Sequence, residues 1–285
     1  MELAKILKSV SSDLSSVEIE LARSTATIAA SQSDGDILSR IIAHPFAVPG
    51  KRIRPALVLL AAKAADSPPA TPDAPEPRPL ITLAAAVEIL HAASLVHDDV
   101  IDGADTRRHQ ISLNRLFGNR VAVLAGDILY THFFSMITGM PGVPAERRLR
   151  LLDLFIEATR AMCMGEILAQ EHRCAETLPF EDYREIAADK TAALFAASCT
   201  APAVLAGDDG QVASALHGFG MHFGLAFQMV DDLMDGDHRL DPGVDLMGAA
   251  RREAHMARES AARLPAPQYG NRLCDIVDFV IGQTG

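Results

Sequence analysis

Apolar residues recur at three- and four-residue spacing along almost the whole chain, and alternating β-branched runs are few. That period stacks apolar side chains on one face of a helix and offers no pattern from which to build a sheet. The chain is therefore expected to be all-α, a bundle of helices with apolar faces turned inward. The spacing predicts helices near 2–31, 34–44, 51–65, 79–102, 112–117, 120–138, 145–173, 180–188, 190–205, 209–235, 247–263 and 270–281. From Asp66 to Pro79 six prolines forbid a continuous helix. This stretch reads as an exposed loop and not a domain boundary, because each flank alone is small. Other breaks fall at Pro141-Gly142-Val143-Pro144 and from Gly236 to Gly243. The 285 residues read as one large domain.

Composition excludes several classes of function. A formal charge of −11 argues against a general binder of nucleic-acid phosphates, and 5% aromatics with no Trp leave few base-stacking platforms. Cys163, Cys174, Cys199 and Cys274 form no CxxC pair, so neither a zinc site nor a disulfide framework is expected, only reduced, buried thiols. The first residues, MELAKILKSVSSDLSSVEIE, lack the apolar core of a signal peptide. Apolar runs such as LITLAAAVEIL meet a charge before membrane-spanning length, so no transmembrane segment and a cytoplasmic location are expected.

One short motif occurs twice. Asp98-Asp99-Val100-Ile101-Asp102 and Asp231-Asp232-Leu233-Met234-Asp235 each follow a long apolar stretch. On a helix, Asp98 shares a face with Asp102, and Asp231 with Asp235. Carboxylates placed there are expected to be partly buried, where burial without a partner costs several kcal/mol each. A cation is the remedy, and oxygen-only donors favour Mg²⁺. Basic residues are ordered around them. Gly50-Lys51-Arg52-Ile53-Arg54-Pro55 is expected to open a helix with Lys51 and Arg54 on one face. Arg107 and Arg108 follow the first cluster, His91 lies two turns before Asp98, Lys190-Thr191 begins another apolar helix, and Gln228 precedes Asp231 by three. Such cations beside metal-holding acids suit a Mg²⁺-bridged diphosphate.

The stretches PGKRIRPALVLL, EILHAASLVHDDVIDGADTRRH, LAGDILY, MGEILAQE, KTAALFAAS and FQMVDDLMD, in that order, resemble the trans-polyprenyl diphosphate synthases, the head-to-tail prenyltransferases. They cover most of residues 40–246. The resemblance implies an isoprenoid-synthase helical bundle around a central cavity, usually a homodimer, dependent on Mg²⁺ with Mn²⁺ able to substitute. It implies condensation of isopentenyl diphosphate with an allylic diphosphate into a longer all-trans product. Asp98, Asp102 and Asp231 match the metal ligands, with Asp99, Asp232 and Asp235 in the same clusters. Lys51, Arg54, His91 and Arg108 match the positions that hold isopentenyl diphosphate; Arg107, Lys190, Thr191 and Gln228 match those for the allylic diphosphate. Ala93 and Ser94 are small where short-chain relatives carry a bulky aromatic. The tail is then expected to grow beyond geranylgeranyl length until it meets a floor among Tyr130, Phe133, Phe134 and Met136.

The pattern has departures. His109 replaces the glycine that commonly follows the paired arginines, and Asp241 stands where a Lys is expected. About two helices of the family pattern are missing after residue 246. A short enzyme, a weak or regulatory relative, and a chain with a segment left out all accommodate this. Alternatives to a synthase are a non-catalytic subunit of a heteromeric prenyl synthase, a class I terpene cyclase, and a helical cation-binding scaffold. The duplicated cluster argues against the cyclase, and the aligned Lys, Arg and Gln positions argue against the scaffold.

Overall fold

The computed structural model of the chain describes residues 2–29, 36–66, 78–208, 210–236, 240–241 and 243–284. The helices are α1 (Leu3–Ile6), α2 (Ser11–Ala29), α3 (Asp36–Ala43), α4 (Ile53–Ala64), α5 (Pro79–Ile101), α6 (Leu113–Phe117) and α7 (Asn119–Thr138). They continue as α8 (Ala145–Glu171), α9 (Phe180–Ala187), α10 (Ala193–Ala206), α11 (Gln211–Asp235), α12 (Leu246–Ala261) and α13 (Pro267–Ile281). The all-α expectation holds. The proline-rich stretch after Asp66 and most of the break after Gly236 lie outside the described residues.

Three local features depart from simple periodicity. The first predicted helix is interrupted by a 3₁₀ turn at Leu7–Val10. A two-stranded hairpin, β1 (Thr106–Arg107) against β2 (Gln110–Ile111), follows α5. A π-helical turn, Ala188–Ala192, joins α9 to α10. The helix expected from residue 51 begins only at Ile53. Pro55 has no N–H to donate to the Lys51 carbonyl, so the first bond runs from Ala56 N–H to Arg52 O at 3.1 Å. Lys51 therefore lies outside α4, and the shared helical face expected for Lys51 and Arg54 does not form.

The chain divides into two compact units, named here for their place in the sequence. The central unit comprises Ser12–Ala56 and Asp73–Val143; the terminal unit comprises Met1–Ser11, Leu57–Pro72 and Pro144–Gly285. In the central unit α5 packs along α7. Sequence stretches apolar all round belong in a core. Accordingly α5, long and apolar enough to cross a membrane by length and composition, is 83% buried inside the protein over that window. The same test is passed by α7, of which 33% is buried.

In the terminal unit α10 packs on α8 and α11, and α11 packs on α12. Two glycines set the closeness of α11 to α10 and to the π-helical turn before it. A Cβ at Gly220 would meet the Phe195 carbonyl oxygen at 2.5 Å, and one at Gly224 would meet Ala192 Cα at 2.5 Å. Phe195, Phe219 and Phe223 fill the space beside them, with Phe195 and Phe223 edge to face at 5.1 Å. The cysteines are free, but Cys163 and Cys174 are exposed and only Cys199 is fully buried. The expectation of buried thiols is corrected for those two.

Candidate active site

In the central unit the basic residues converge on α5 and the hairpin. Arg52 sits just before α4 with φ +51, a left-handed conformation that costs a non-glycine residue about 1–2 kcal/mol. Its guanidinium donates to Glu18 at 2.5 and 3.1 Å and to Glu88 at 2.7 Å. Glu88, on α5, is only 4% exposed, so Arg52 is what keeps a buried carboxylate paired. Neither Arg52 nor Glu88 was assigned a role from the sequence. An acid one turn before His91 in an otherwise apolar helix was the available signal.

Arg54 Nη1 lies 3.0 Å from His91 Nε2. A guanidinium can only donate, so His91 accepts through Nε2 and carries its proton on Nδ1. Burial, then the positive charges of Arg54, Arg108, Arg107 and Arg52, hold the His91 pKa well below its ordinary value. His91 is thus a neutral donor. Burial also lowers Arg54 to about 10, with Glu88 opposing and Arg108 adding to the drop. Arg108 is lowered chiefly by burial too, and Arg52 and Arg107 add to it against Glu88.

Arg108 and His109 form the two-residue loop of the hairpin, with φ +51 and +63. Positive φ at both loop positions is the type I′ geometry that favours glycine, which accounts for the family residue that His109 replaces. The strain presents Arg108, whose guanidinium lies against Gly50: a Cβ there would come within 2.8 Å of Nη2. Arg107 instead donates to Asp99 Oδ1 through Nε at 2.8 Å and Nη2 at 2.6 Å. His44 ties the hairpin down, with its Nε2 2.8 Å from the Ile111 carbonyl oxygen and its own carbonyl accepting from Gln110. Arg52, Glu88, His91, Asp99, Arg107 and Arg108 line one cavity of this unit.

The first acidic cluster occupies the C-terminal end of α5. Asp99 is 4% exposed and pinned by Arg107, while Asp98 is half-buried and Asp102 exposed. In the second cluster, ending α11, Asp232 is half-buried and Asp231 and Asp235 are exposed. The expectation that the outer aspartates are partly buried is corrected for Asp102, Asp231 and Asp235. A cluster at a helix end projects beyond the apolar turns that precede it, so in each cluster the middle acid is the most buried of the three.

In the terminal unit Lys190 and Thr191 lie on the π-helical turn. Lys190 Nζ pairs with Glu166 Oε2 at 2.5 Å, and Glu166 also accepts from Gln170 at 2.8 Å. Gly165 makes this possible, since a Cβ there would stand 2.5 Å from the Lys190 backbone nitrogen. This is the physical content of the MGEILAQE stretch. Thr191 donates to Gln228 Oε1 at 2.7 Å, and Gln228 Nε2 donates to Asp232 Oδ1 at 2.8 Å. Tyr183, which no local spacing singles out, donates to Asp232 Oδ2 at 2.5 Å. Burial pushes the Tyr183 phenol far up, with the Asp232 charge adding to it. Burial likewise raises Asp232, against the hydrogen bonds from Tyr183 and Gln228.

Of the residues read as setting chain length, Ala93 is fully buried and the Ser94 hydroxyl donates to the His91 carbonyl at 2.8 Å. On α7, Phe133 is fully buried and edge to face with Phe134, and Tyr130 stacks on His97. Met136 is buried and its sulfur accepts from Ser24. Asp241 is half-buried, its backbone N–H donating to Leu178 O at 3.2 Å.

The helical bundle, with one aspartate cluster ending α5 and another ending α11, has the fold of the isoprenyl synthases. The chain belongs to the polyprenyl synthetase family, the trans-prenyl diphosphate synthases, whose profile matches residues 35–239. The octaprenyl diphosphate synthase of Escherichia coli is 32% identical over 235 residues, covering 82% of this chain and 67% of that protein. The geranylfarnesyl diphosphate synthase of Natronomonas pharaonis is 36% identical over 194 residues, 65% of this chain and 57% of that one. Among solved structures, a polyprenyl synthase from Caulobacter crescentus complexed with calcium and isoprenyl diphosphate superposes with TM-score 0.81 at 25% identity, over 100% of this chain and 98% of that chain.

Proposed function

We propose that the chain is a Mg²⁺-dependent polyprenyl diphosphate synthase that condenses isopentenyl diphosphate with an allylic diphosphate to give a product longer than geranylgeranyl diphosphate. The observation that carries the reading is the state of Arg108. It is a half-buried guanidinium on a strained loop, with no ion pair or hydrogen bond among the described residues, surrounded by Arg52, Arg54 and Arg107. Four guanidinium groups beside Glu18, Glu88 and Asp99 leave an excess of positive charge, as an incoming diphosphate requires. Lys51, Arg54, His91 and Arg108 take isopentenyl diphosphate in this reading, His91 as a neutral Nδ1–H donor. Arg107, Lys190, Thr191 and Gln228 take the allylic diphosphate.

The donor set fits a divalent cation shared with substrate. Asp98 with Asp102, and Asp231 with Asp235, are oxygen donors four residues apart. No group of three His, Cys, Asp or Glu side chains among the described residues makes a closed metal site. Mg²⁺ keeps waters and binds through one or two carboxylates plus substrate phosphates, with Mn²⁺ as substitute. When bound, such an ion neutralises charge developing on the departing diphosphate. The chain's own cations do the same from fixed positions, which is where electrostatic catalysis gains most. Carbon–carbon bond formation follows as the isopentenyl double bond attacks the allylic cation and a proton is lost.

A homodimer fits the apolar side chains that the helices expose, Val123 and Leu124 on α7 and Leu149, Ile156, Met164 and Ile167 on α8. A cytosolic location is part of the same reading. The test is to incubate the protein with Mg²⁺, isopentenyl diphosphate and farnesyl diphosphate, then chromatograph the products. Chains beyond geranylgeranyl length, abolished by EDTA and reduced by orders of magnitude in Asp98→Ala and Asp231→Ala, are expected. Absence of any elongation, or full turnover in EDTA, overturns the proposal.

A further inference from the structure

Tyr183 has no place among the residues the sequence singles out, yet its phenol reaches the second acidic cluster. We propose that Tyr183 is a positioning residue, which by donating to Asp232 fixes the last turn of α11 and thereby aims Asp231 and Asp235 at a diphosphate-bound divalent cation. The inference rests on the reading above that this cluster serves such a cation.

The last turn of α11 needs an external hold for three reasons. Its final carbonyls have no intrahelical partners. The negative end of the helix macrodipole falls where three acids stand. Asp231 and Asp235, four residues apart, repel one another. All three favour fraying of the turn that carries the acids. Gln228 also donates to Asp232, but from the same helix one turn earlier, and it reaches another element only through Thr191 of the π-helical turn, whereas Tyr183 bonds Asp232 directly from α9.

Tyr183 comes from α9. It is 8% exposed, stacks with Phe180 at 6.2 Å, and presents its hydroxyl to Asp232 Oδ2 at 2.5 Å. Its neighbour Arg184 holds α9 in turn, donating to Glu253 of α12 at 3.1 and 3.0 Å. Glu253 also bonds His222 Nδ1 of α11 at 2.7 Å. The phenol therefore stands on a support braced by three helices. The arrangement has a counterpart in the central unit, where Arg107 holds Asp99, the middle acid of the first cluster. In each cluster the middle aspartate is bonded to a residue outside its own helix.

The experiment compares full-length wild type with Tyr183→Phe, Asp232→Ala and the double variant. Mn²⁺ binding is read by electron paramagnetic resonance with farnesyl diphosphate present and isopentenyl diphosphate absent. The Mg²⁺ activation constant, both Michaelis constants and thermal melts accompany it. Loss of a hydrogen bond to a charged group corresponds to about a tenfold effect or more. Tyr183→Phe is thus expected to weaken Mn²⁺ binding about tenfold and to raise the Mg²⁺ activation constant equally, leaving the isopentenyl diphosphate KM within twofold. Because the two residues share one interaction, the double variant should be no worse than about twofold beyond Asp232→Ala. Unchanged Mn²⁺ binding in Tyr183→Phe, whatever its melting temperature, overturns the proposal, as do losses that multiply. Should Tyr183→Phe fail to fold, unchanged Mn²⁺ binding in Asp232→Ala overturns it. A wild type that elongates farnesyl diphosphate while the losses multiply keeps the synthase reading and removes only this one. A wild type that binds no Mn²⁺ with farnesyl diphosphate removes both.

Discussion

Arg54 Nη1 sits 3.0 Å from His91 Nε2, and this contact fixes both the tautomer and the charge of the histidine. With its pKa held well below 6.5 by burial and by neighbouring arginines, His91 is neutral when folded but takes up a proton when unfolded below pH 6.5. The unfolded state then binds more protons, so stability rises with pH. This contribution is complete above pH 6.5 and is lost as pH falls below it, at no more than about 1.4 kcal/mol per pH unit. Melting temperatures of wild type and His91→Gln, which keeps an acceptor for Arg54, should converge toward acid. A wild-type curve parallel to that of the variant from pH 7 to 5 would show that His91 is not held neutral.

Arg52 and Arg108 carry the same charge and should fail in different ways. Arg52 pairs with the buried Glu88, and removing one partner of a buried pair costs about 3–5 kcal/mol. Arg108 has no such ion pair among the described residues, and burial with the charges of Arg52 and Arg107 opposes what Glu88 contributes, so its loss costs the fold little. Arg52→Met is expected to lower the melting temperature by several degrees. Arg108→Met is expected to leave it within about 2 °C while raising the isopentenyl diphosphate KM roughly 10- to 100-fold. Calorimetry and steady-state kinetics on the two variants check the split.

How much of this could be read from the sequence differs by residue. Helix existence and class were legible because the apolar period runs through nearly every element. The acidic clusters and the guanidinium positions were legible because their spacing is local. Three things were not. Periodicity alone puts Lys51 on a helix, because it ignores that Pro55 lacks an N–H to close the turn. The hairpin around Arg108 and His109 was missed because its strands have only two residues each, too short for an alternating pattern. Tyr183 was missed because its partner Asp232 lies 49 residues away, and no local rule reports a contact at that separation.

The hairpin loop predicts a stabilising substitution. His109 at φ +63 bears the left-handed cost of about 1–2 kcal/mol, which glycine escapes. Glycine in turn enlarges the entropy of the unfolded chain by about 0.4–1 kcal/mol. The first effect exceeds the second, so His109→Gly should stabilise by about 0.5–1 kcal/mol, raising the melting temperature by about 1–4 °C. A lower melting temperature would mean that the His109 side chain contributes contacts worth more than the strain.

Gly165 predicts the opposite sign. Its absent side chain is where α8 meets the π-helical turn: a Cβ would stand 2.5 Å from the Lys190 backbone nitrogen and 2.8 Å from Asp189 Cβ. Neither can swing aside as a flexible side chain would, because the first is main chain and the second is fixed to it. Gly165→Ala must therefore move α8 or the turn, and overpacking of that kind costs about 1–3 kcal/mol. The displacement also separates Lys190 from Glu166, a contact of 2.5 Å, and shifts Thr191 relative to Gln228. The expected outcome is a melting temperature lower by several degrees together with a raised KM for the allylic diphosphate, while the KM for isopentenyl diphosphate stays near wild type. Equal changes in both constants would indicate that Lys190 and Thr191 are not confined to the allylic substrate. An unchanged melting temperature would show that α8 yields at Gly165 without cost.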